Sequence, residues 1–153
     1  LRSLSGEGHL AWSAGSPILV VLAEDHAPMR RSLRGLLDDE EDLHVVGEAD
    51  DLATLEREVR LRRPHVLALD LGMRDRTTGV GAITIVREGG LEVRIVGLTM
   101  QDDPAFARHA LAAGALGFVY KDLADVELAP AIRAAARGER FVSLRVAGRL
   151  GGG

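Results

Sequence analysis

The sequence predicts an α/β protein in which helices cover both faces of a parallel sheet. Five short apolar runs alternate regularly with five segments whose apolar residues recur at helical spacing. The runs are apolar throughout rather than alternating, which is typical of strands buried on both faces. Because crossovers between parallel strands are right-handed, this order of elements predicts a three-layer sandwich.

Strands and helices alternate through the first half of the chain. Residues 18–23 are a continuous apolar run and predict the first strand, and Met29, Leu33, Leu36 and Leu37 follow at helical spacing. The second strand is predicted at residues 44–49. Asp50 or Asp51 is expected to cap the next helix, which ends before Pro64, and a third strand at residues 66–69 closes at Asp70.

The second half repeats this order. A helix is predicted at residues 80–87, with Gly89 and Gly90 ending it. Residues 94–98 form the fourth predicted strand, which closes at Thr99, and Asp103-Pro104 begins a helix that Gly114 ends. The fifth strand, residues 117–120, closes at Lys121, and an alanine-rich helix runs to about Arg137.

Composition excludes several classes of protein. The 153 residues include no cysteine, so disulfide frameworks, zinc–thiolate sites and cysteine nucleophiles are excluded. The net charge of −4 is too near balance to indicate nucleic-acid binding by itself. Since no apolar run approaches the roughly 20 residues of a membrane span, we expect a soluble, cytoplasmic domain without membrane contact. Residues 1–17 are interpreted as a disordered leader or cloning scar, residues 18–143 as one domain, and residues 144–153 as the start of a linker or a truncated tail.

Polar residues follow four of the five predicted strands. They are Glu24 and Asp25, Asp70, Thr99, and Lys121, which is the only lysine beside 18 arginines. The carboxyl ends of parallel strands meet at one edge of the sheet, where such folds bind ligands. Three acids gathered there require a cation, and hard carboxylates suit Mg²⁺. A hydroxyl and an ammonium complete a site for phosphoryl transfer to an aspartate, although each residue alone would be an ordinary cap or surface group.

With these residues in place, the chain resembles the receiver domain of two-component response regulators over about residues 18–143, and within it the NarL/LuxR-type transcription regulators. The stretches that carry the resemblance are ILVVLAEDH (18–26), LDL (69–71), LTMQDDP (98–104), AAGALGFVYKD (112–122) and AIRAAARGERFVS (131–143). The resemblance implies a flavodoxin-like (βα)5 fold with a five-stranded parallel sheet in the order 2-1-3-4-5.

The resemblance also implies a role for each site residue. Asp70 would accept a phosphoryl group from a sensor histidine kinase or a small phosphodonor. Glu24, Asp25, Asp70 and the backbone carbonyl of Gly72 would hold Mg²⁺. Thr99 would bind a phosphoryl oxygen, and Lys121 would pair with the phosphoryl group or with the free Asp70. Phe118 matches the aromatic switch position, so Thr99 and Phe118 together would reshape the face of helix four, strand five and helix five.

Some positions depart from the usual pattern of that family. The metal-facing pair is Glu24-Asp25 rather than two aspartates, and the loop 72–79 is one residue longer than usual. Lys121 is followed by Asp122 instead of proline, so a trans peptide bond is expected. Pro130 predicts a kink or a late start in the last helix. The bulky Met100 would narrow access to the site.

Three functions remain open at this stage. The first is a phosphorylation switch that controls homodimerisation or an output, with DNA binding only through a C-terminal helix-turn-helix domain that is not present in these residues. The second is a phosphohydrolase, disfavoured because Gly72 stands where such enzymes carry a second acid. The third is a pseudo-receiver, a protein-interaction module that phosphorylation does not regulate. Other features include His26, interpreted as a helix-start residue, and an unexplained Trp12. The small apolar residues of the last helix either pack on the sheet or contribute to a dimer.

Overall fold

A computed structural model describes residues 11–73, 80–100, 104–143 and Arg145. Within these residues, six strands and five helices alternate. The strands are β1 (Ile18–Ala23), β2 (Leu43–Ala49), β3 (Val66–Asp70), β4 (Arg94–Thr99), β5 (Gly117–Tyr120) and β6 (Phe141–Val142). The helices are α1 (Ala27–Asp38), α2 (Leu52–Arg62), α3 (Val80–Glu88), α4 (Pro104–Ala113) and α5 (Ala124–Ala136), and a 3-10 turn at Lys121–Leu123 precedes α5.

All strands run parallel in one sheet of order β2-β1-β3-β4-β5-β6. The predicted order 2-1-3-4-5 is therefore confirmed, and β6 extends the expected five strands to six. β6 has two residues and pairs with the start of β5, Phe118 lying opposite Val142. A segment that short carries no recognisable apolar period, so sequence patterning did not reveal it.

Helices cover both faces of the sheet and complete the three layers. One core contains Val20 and Leu22 of β1 together with apolar residues of α1 and α5. The other contains Val21 and Ala23 of the same strand, with residues of α2, α3 and α4. Because successive side chains of a strand point to opposite faces, a continuous apolar run supplies both cores at once.

The predicted helix signals act as expected where the structure describes them. Asp51 caps α2 by accepting a 2.7 Å hydrogen bond from Thr54 N. Gly114 follows α4 with φ of +121°, a conformation that glycine adopts without strain. Asp103 lies outside the described residues. The peptide bond from Lys121 to Asp122 is trans, as expected, like every other described one.

Pro130 lies inside α5, which begins at Ala124. The expectation that the regular helix starts late is therefore wrong. The proline is exposed, and the carbonyl that it leaves without a helical donor is that of Val126. Val126 is itself 63% exposed, so water can take the place of the missing donor. A helix tolerates proline best on such a solvent-facing side.

The segment before β1 differs from the expectation of a disordered leader over residues 11–17. Trp12 packs half-buried against the core that holds α1 and α5. Its indole Nε1 donates a 2.8 Å hydrogen bond to Ser16 O across a tight turn. Residues 1–10 lie outside the described part. Trp12 also lines a cavity of about 260 Å³ with His65 and Arg94, at the edge of the sheet opposite the carboxyl ends.

No helix in the described part of the chain combines the length and the hydropathy needed to cross a lipid bilayer.

Candidate functional site

Four strands deliver the predicted site residues to one edge of the sheet. Glu24 and Asp25 follow β1, Asp70 ends β3, Thr99 ends β4 and Lys121 follows β5. Chain order reverses between β1 and β3, which are neighbours although β2 comes between them in sequence. The acids therefore lie at the switch point of the sheet, where open α/β folds form their ligand crevice.

Three carboxylates come together there. One oxygen from each of Glu24, Asp25 and Asp70 lies within 4.8 Å of the others. Glu24 and Asp70 are buried, with 0% and 3% of their surfaces exposed, whereas Asp25 is half-buried at the mouth. Like charges this close in a poorly solvated place repel one another strongly, so the cluster requires a compensating cation.

Lys121 supplies one positive charge from the β5 side. Its Nζ lies 2.7 Å from Glu24 Oε1 and 3.0 Å from Asp70 Oδ1, and only 9% of its side chain is exposed. The ammonium group thus bridges the two buried acids. Counting full charges, three carboxylates and one ammonium leave two negative charges in the crevice.

These contacts shift the pKa values of the buried groups. Burial is the main cause that raises the pKa of Glu24 to about 7, and the neighbouring Asp70 carboxylate adds to it. Burial alone would lower the pKa of Lys121, but its contacts with Glu24 and Asp70 raise it above the ordinary value. Lys121 therefore stays protonated at neutral pH and is a permanent cation of the site.

The loop after β3 fixes the orientation of the Asp70 carboxylate. Gly72 N donates a 2.9 Å hydrogen bond to Asp70 Oδ1, the oxygen that also contacts Lys121. Leu71 N donates to Leu98 O at 2.8 Å, which extends the β3–β4 pairing past Asp70. The first part of this loop is thereby tied to the sheet. Positions 74–79 of the unusually long loop lie outside the described residues.

Arg30 positions the loop after β1, a contact that no pattern in the sequence predicted. Its Nη1 donates a 2.7 Å hydrogen bond to the carbonyl of Glu24, while its Nε lies 3.2 Å from Glu48 Oε1 on β2. His26 caps α1 by accepting from Met29 N, which agrees with its interpretation as a helix-start residue. Its backbone N–H also donates to Glu24 Oε2 at 3.2 Å.

Thr99, at the end of β4, and Phe118 of β5 are both buried. Thr99 is 3% exposed, and Phe118 is fully buried between Phe106 of α4 and Tyr120 of β5, with edge-to-face ring contacts at 6.4 and 5.6 Å. The aromatic side chain at the expected switch position therefore points into the core. Met100, after Thr99, is 66% exposed.

The donor set fits Mg²⁺. It offers only oxygen ligands, carries an excess of negative charge and includes Glu24 Oε1, a buried atom that accepts no well-aligned hydrogen bond although it contacts Lys121. Hard carboxylate oxygens with one face open to water are the arrangement in which proteins hold this ion. Glu24, Asp25 and Asp70 are the residues that would hold it.

Comparison with known proteins agrees with this geometry. A family profile described as the response regulator receiver domain matches residues 20–133. The chain belongs to this family. Its relatives are of the NarL/LuxR type, and they are components of two-component systems.

Several individual proteins are similar to this receiver. The oxygen regulatory protein NreC of Staphylococcus epidermidis is 35% identical over 127 residues, which is 83% of this chain and 58% of NreC. A LuxR-family two-component response regulator from Aurantimonas sp. SI85-9A1 superposes with a TM-score of 0.83 at 31% identity, covering 90% of this chain and 97% of that one. The signal receiver domain of NarL from Mycobacterium tuberculosis gives 0.74 at 31%, covering 81% and 99%. The chain spans little more than half the length of the curated relatives it matches.

Proposed function

We propose that this receiver is a phosphorylation switch in which Asp70 accepts a phosphoryl group in a Mg²⁺-dependent reaction. The observation that carries the proposal is the position of Lys121 Nζ, 2.7 Å from Glu24 and 3.0 Å from Asp70. A buried acid cluster with one fixed cation is arranged for a dianionic group that arrives together with a divalent metal. The Gly72 carbonyl is proposed as a further metal ligand.

The reaction is a displacement at phosphorus. A carboxylate oxygen of Asp70 forms a bond to the phosphorus atom, and the bond from phosphorus to the donor breaks. The donor is a histidine nitrogen of a sensor kinase or an oxygen of acetyl phosphate, and it keeps the electron pair. Bound Mg²⁺ supplies charge neutralisation for the phosphoryl oxygens.

The residues of this chain orient the acceptor and bind the product. Gly72 N and Lys121 Nζ both contact Asp70 Oδ1, which holds the carboxylate in one orientation before the donor arrives. In the product, Lys121 pairs with the phosphoryl group and Thr99 donates its hydroxyl to a phosphoryl oxygen. Movement of Thr99 and Phe118 then reshapes the surface of α4, β5 and α5. Phosphorylation is thus a local charge change that biases a two-state surface.

The partners are a sensor histidine kinase and, in the phosphorylated state, a second copy of the chain. We also propose a cytoplasmic location and an output through a C-terminal helix-turn-helix domain of a longer protein, which alone would bind DNA. The apolar residues of α5 considered for a dimer, Ala124, Leu128, Ile132, Ala135 and Ala136, are all buried against the sheet. A dimer formed through α5 would have to use other residues.

The test is intact-mass spectrometry after incubation with acetyl phosphate and Mg²⁺. We expect the mass of one phosphoryl group to be added, and we expect none with Asp70→Asn or with EDTA. Asp25→Asn should weaken Mg²⁺ binding, because Asp25 is the half-buried acid at the mouth. Circular dichroism confirms that each variant is folded.

The other functions give different results in the same experiment. A folded wild-type chain that gains no phosphoryl group under any condition would be a pseudo-receiver, and the proposal would be wrong. A phosphohydrolase would turn over the donor many times. The exposed Gly72 provides no acid–base side chain two residues after Asp70, so we expect the phosphoryl group to stay on the protein long enough to be detected.

A further inference from the structure

We propose that Arg145 is a positioning residue for Lys121, an inference that rests on the proposed phosphorylation of Asp70. Arg145 lies two residues beyond Ser143, after β6. Its guanidinium contacts the side chains of both chain neighbours of Lys121. Nη2 lies 2.9 Å and Nη1 3.4 Å from the two oxygens of Asp122, and Cζ lies 4.7 Å above the ring of Tyr120.

The Tyr120 ring that Arg145 contacts is itself held firmly in the core. Tyr120 is fully buried, and its ring meets that of Phe118 edge to face at 5.6 Å and 88°. A guanidinium above an aromatic ring is held by the ring's negative face as well as by packing. Arg145 is therefore fixed against a part of the core that cannot shift without moving Phe118.

The backbone before Arg145 is anchored as well. Ser143 N donates to Phe118 O at 3.0 Å, and Ser143 Oγ donates to Glu127 Oε1 on α5 at 2.7 Å. Ser143 is fully buried and Glu127 is 6% exposed. Because Arg145 follows this fixed point by two residues, its side chain reaches Asp122 from a defined origin rather than from a free chain end.

Lys121 lies between the two residues that Arg145 contacts. It opens the 3-10 turn at Lys121–Leu123, and its own side chain must keep distances of 2.7 and 3.0 Å to two acids. Displacements near 1 Å of a positioned group can cost about 100-fold in rate. Asp122 is 55% exposed, so the bidentate contact with Arg145 holds an otherwise solvent-facing part of this turn.

The coupling works in both directions. If Arg145 stabilises the position in which Lys121 receives a phosphoryl group, then phosphorylation stabilises the contacts of Arg145 by the same free energy. The segment that carries Arg145 leads toward position 153. Phosphorylation of Asp70 would thus affect the chain after β6 through the contacts of Arg145, which are separate from the α4 surface.

The first measurement uses the fact that Lys121 is the only lysine of the chain. Selective ¹⁵Nζ labelling of lysine therefore gives a single NMR signal from the site, and it needs no phosphorylation. We expect Arg145→Gln and Asp122→Asn each to shift this signal, and the double variant to match the single ones. An unchanged signal in Arg145→Gln would overturn the inference, whether or not Asp70 accepts a phosphoryl group.

The second measurement is the rate of Asp70 phosphorylation by acetyl phosphate at saturating Mg²⁺. Arg145→Gln and Asp122→Asn should each lower the rate about three- to tenfold, and Arg145→Lys should lower it less. The double variant should have a rate no lower than that of either single variant. Coupled groups are non-additive in this way. The Kd for Mg²⁺, measured by calorimetry, should stay unchanged, because the guanidinium is held by Asp122 and by the ring of Tyr120.

Arg137→Gln is the matched control. Arg137 also pairs with one exposed carboxylate, its Nε lying 3.0 and 3.1 Å from the two oxygens of Glu139, in the same C-terminal part of the chain and away from Lys121. It should change neither the lysine signal nor the rate. A wild-type chain that is never phosphorylated would refute the proposed function. Normal wild-type phosphorylation with a wild-type rate in Arg145→Gln would refute only the role of Arg145.

Discussion

Lys121 Nζ lies closer to Glu24 Oε1, at 2.7 Å, than to Asp70 Oδ1, at 3.0 Å. The acid that replaces the more usual aspartate is therefore the nearest partner of the site's ammonium group. The longer glutamate side chain can reach the lysine while remaining in the acid cluster with Asp25 and Asp70. Glu24 therefore belongs to the acid cluster and contacts the ammonium group of Lys121 at the same time.

The burial of Glu24 makes the metal-free protein less stable as pH rises. Burial, followed by Asp70, raises the pKa of Glu24 from 4.5 to about 7. Since the folded pKa lies above the unfolded value, the stabilising contribution is complete below pH 4.5 and is lost as pH rises through 7. The loss is at most about 3 kcal/mol.

Urea unfolding in EDTA between pH 4.5 and 8 measures this effect. We expect the free energy of unfolding of Glu24→Gln to fall less over this range than that of the wild type and to exceed it at pH 8. Glu139→Gln, which changes an exposed glutamate, serves as control and should follow the wild type. Parallel wild-type and Glu24→Gln curves would contradict the raised pKa.

Replacing the only lysine by arginine tests how closely the site is shaped. Lys121 is 9% exposed and places a compact ammonium group between two carboxylates, whereas a guanidinium is planar and larger. We expect Lys121→Arg to lower the rate of phosphorylation by acetyl phosphate at least about tenfold while the fold is retained.

Arg34→Lys is the control, because it exchanges the same two cations in the exposed ion pairs of α1 with Asp38 and Glu48. It should leave the rate unchanged. An equal rate in Lys121→Arg and the wild type would mean that only the charge of Lys121 matters, not its shape.

Sequence patterning predicted the parallel sheet and the set of residues at its edge for a physical reason, whereas the strand order came from the family resemblance. Each buried strand ends where its apolar run ends, and parallel strands bring those ends together, so Asp70 and Lys121 could be placed without coordinates. The resemblance added the roles. Those roles, including that of Phe118 as a switch, remain predictions.

The contributions of Arg30 and Arg145 could not be predicted in this way. Arg30 reaches Glu48 on β2, and Arg145 reaches Asp122, which precedes it by 23 residues. Such contacts depend on where side chains end in three dimensions and leave no period in the sequence. Residues 11–17 were not predicted to be ordered, because a segment rich in glycine and serine carries no apolar pattern. Trp12 nevertheless packs this segment against the core.

Trp12 provides a test of that ordered segment. Its half-buried indole packs on the core and donates a hydrogen bond to Ser16 O. We expect Trp12→Ala to lower the free energy of unfolding by about 1–2 kcal/mol, since a partly buried aromatic contact and one hydrogen bond are lost.

Urea unfolding followed by circular dichroism measures the loss, with Leu61→Ala as control because Leu61 is 66% exposed. The wild-type fluorescence reports Trp12 alone, as the chain has one tryptophan. Its emission should shift to longer wavelength on unfolding. An emission maximum that does not move would show that the indole is solvated in the folded protein, contrary to its packing here.

Two acidic residues after α1, Glu40 and Asp42, are contacted by an arginine that is distant in the sequence. Arg133 of α5 donates from Nε and Nη2 to the two oxygens of Asp42, at 2.8 and 2.9 Å, and also contacts Glu40. These hydrogen bonds lower the pKa of Asp42 below its ordinary value of 3.8. The stabilising contribution is therefore present above pH 3.8 and is lost as pH falls through the lower, folded pKa.

We expect Arg133→Gln to cost about 0.5–1 kcal/mol at pH 7 and low salt, a modest loss because the pair is partly exposed. The difference from the wild type should shrink in 1 M NaCl, where screening is strong, and should vanish as Asp42 becomes protonated. Urea unfolding from pH 7 down to pH 3 measures it. Arg137→Gln, which breaks a more exposed contact between neighbours on the chain, should cost less. A loss in Arg133→Gln that persists unchanged at low pH would assign its effect to packing of the arginine stem rather than to charge.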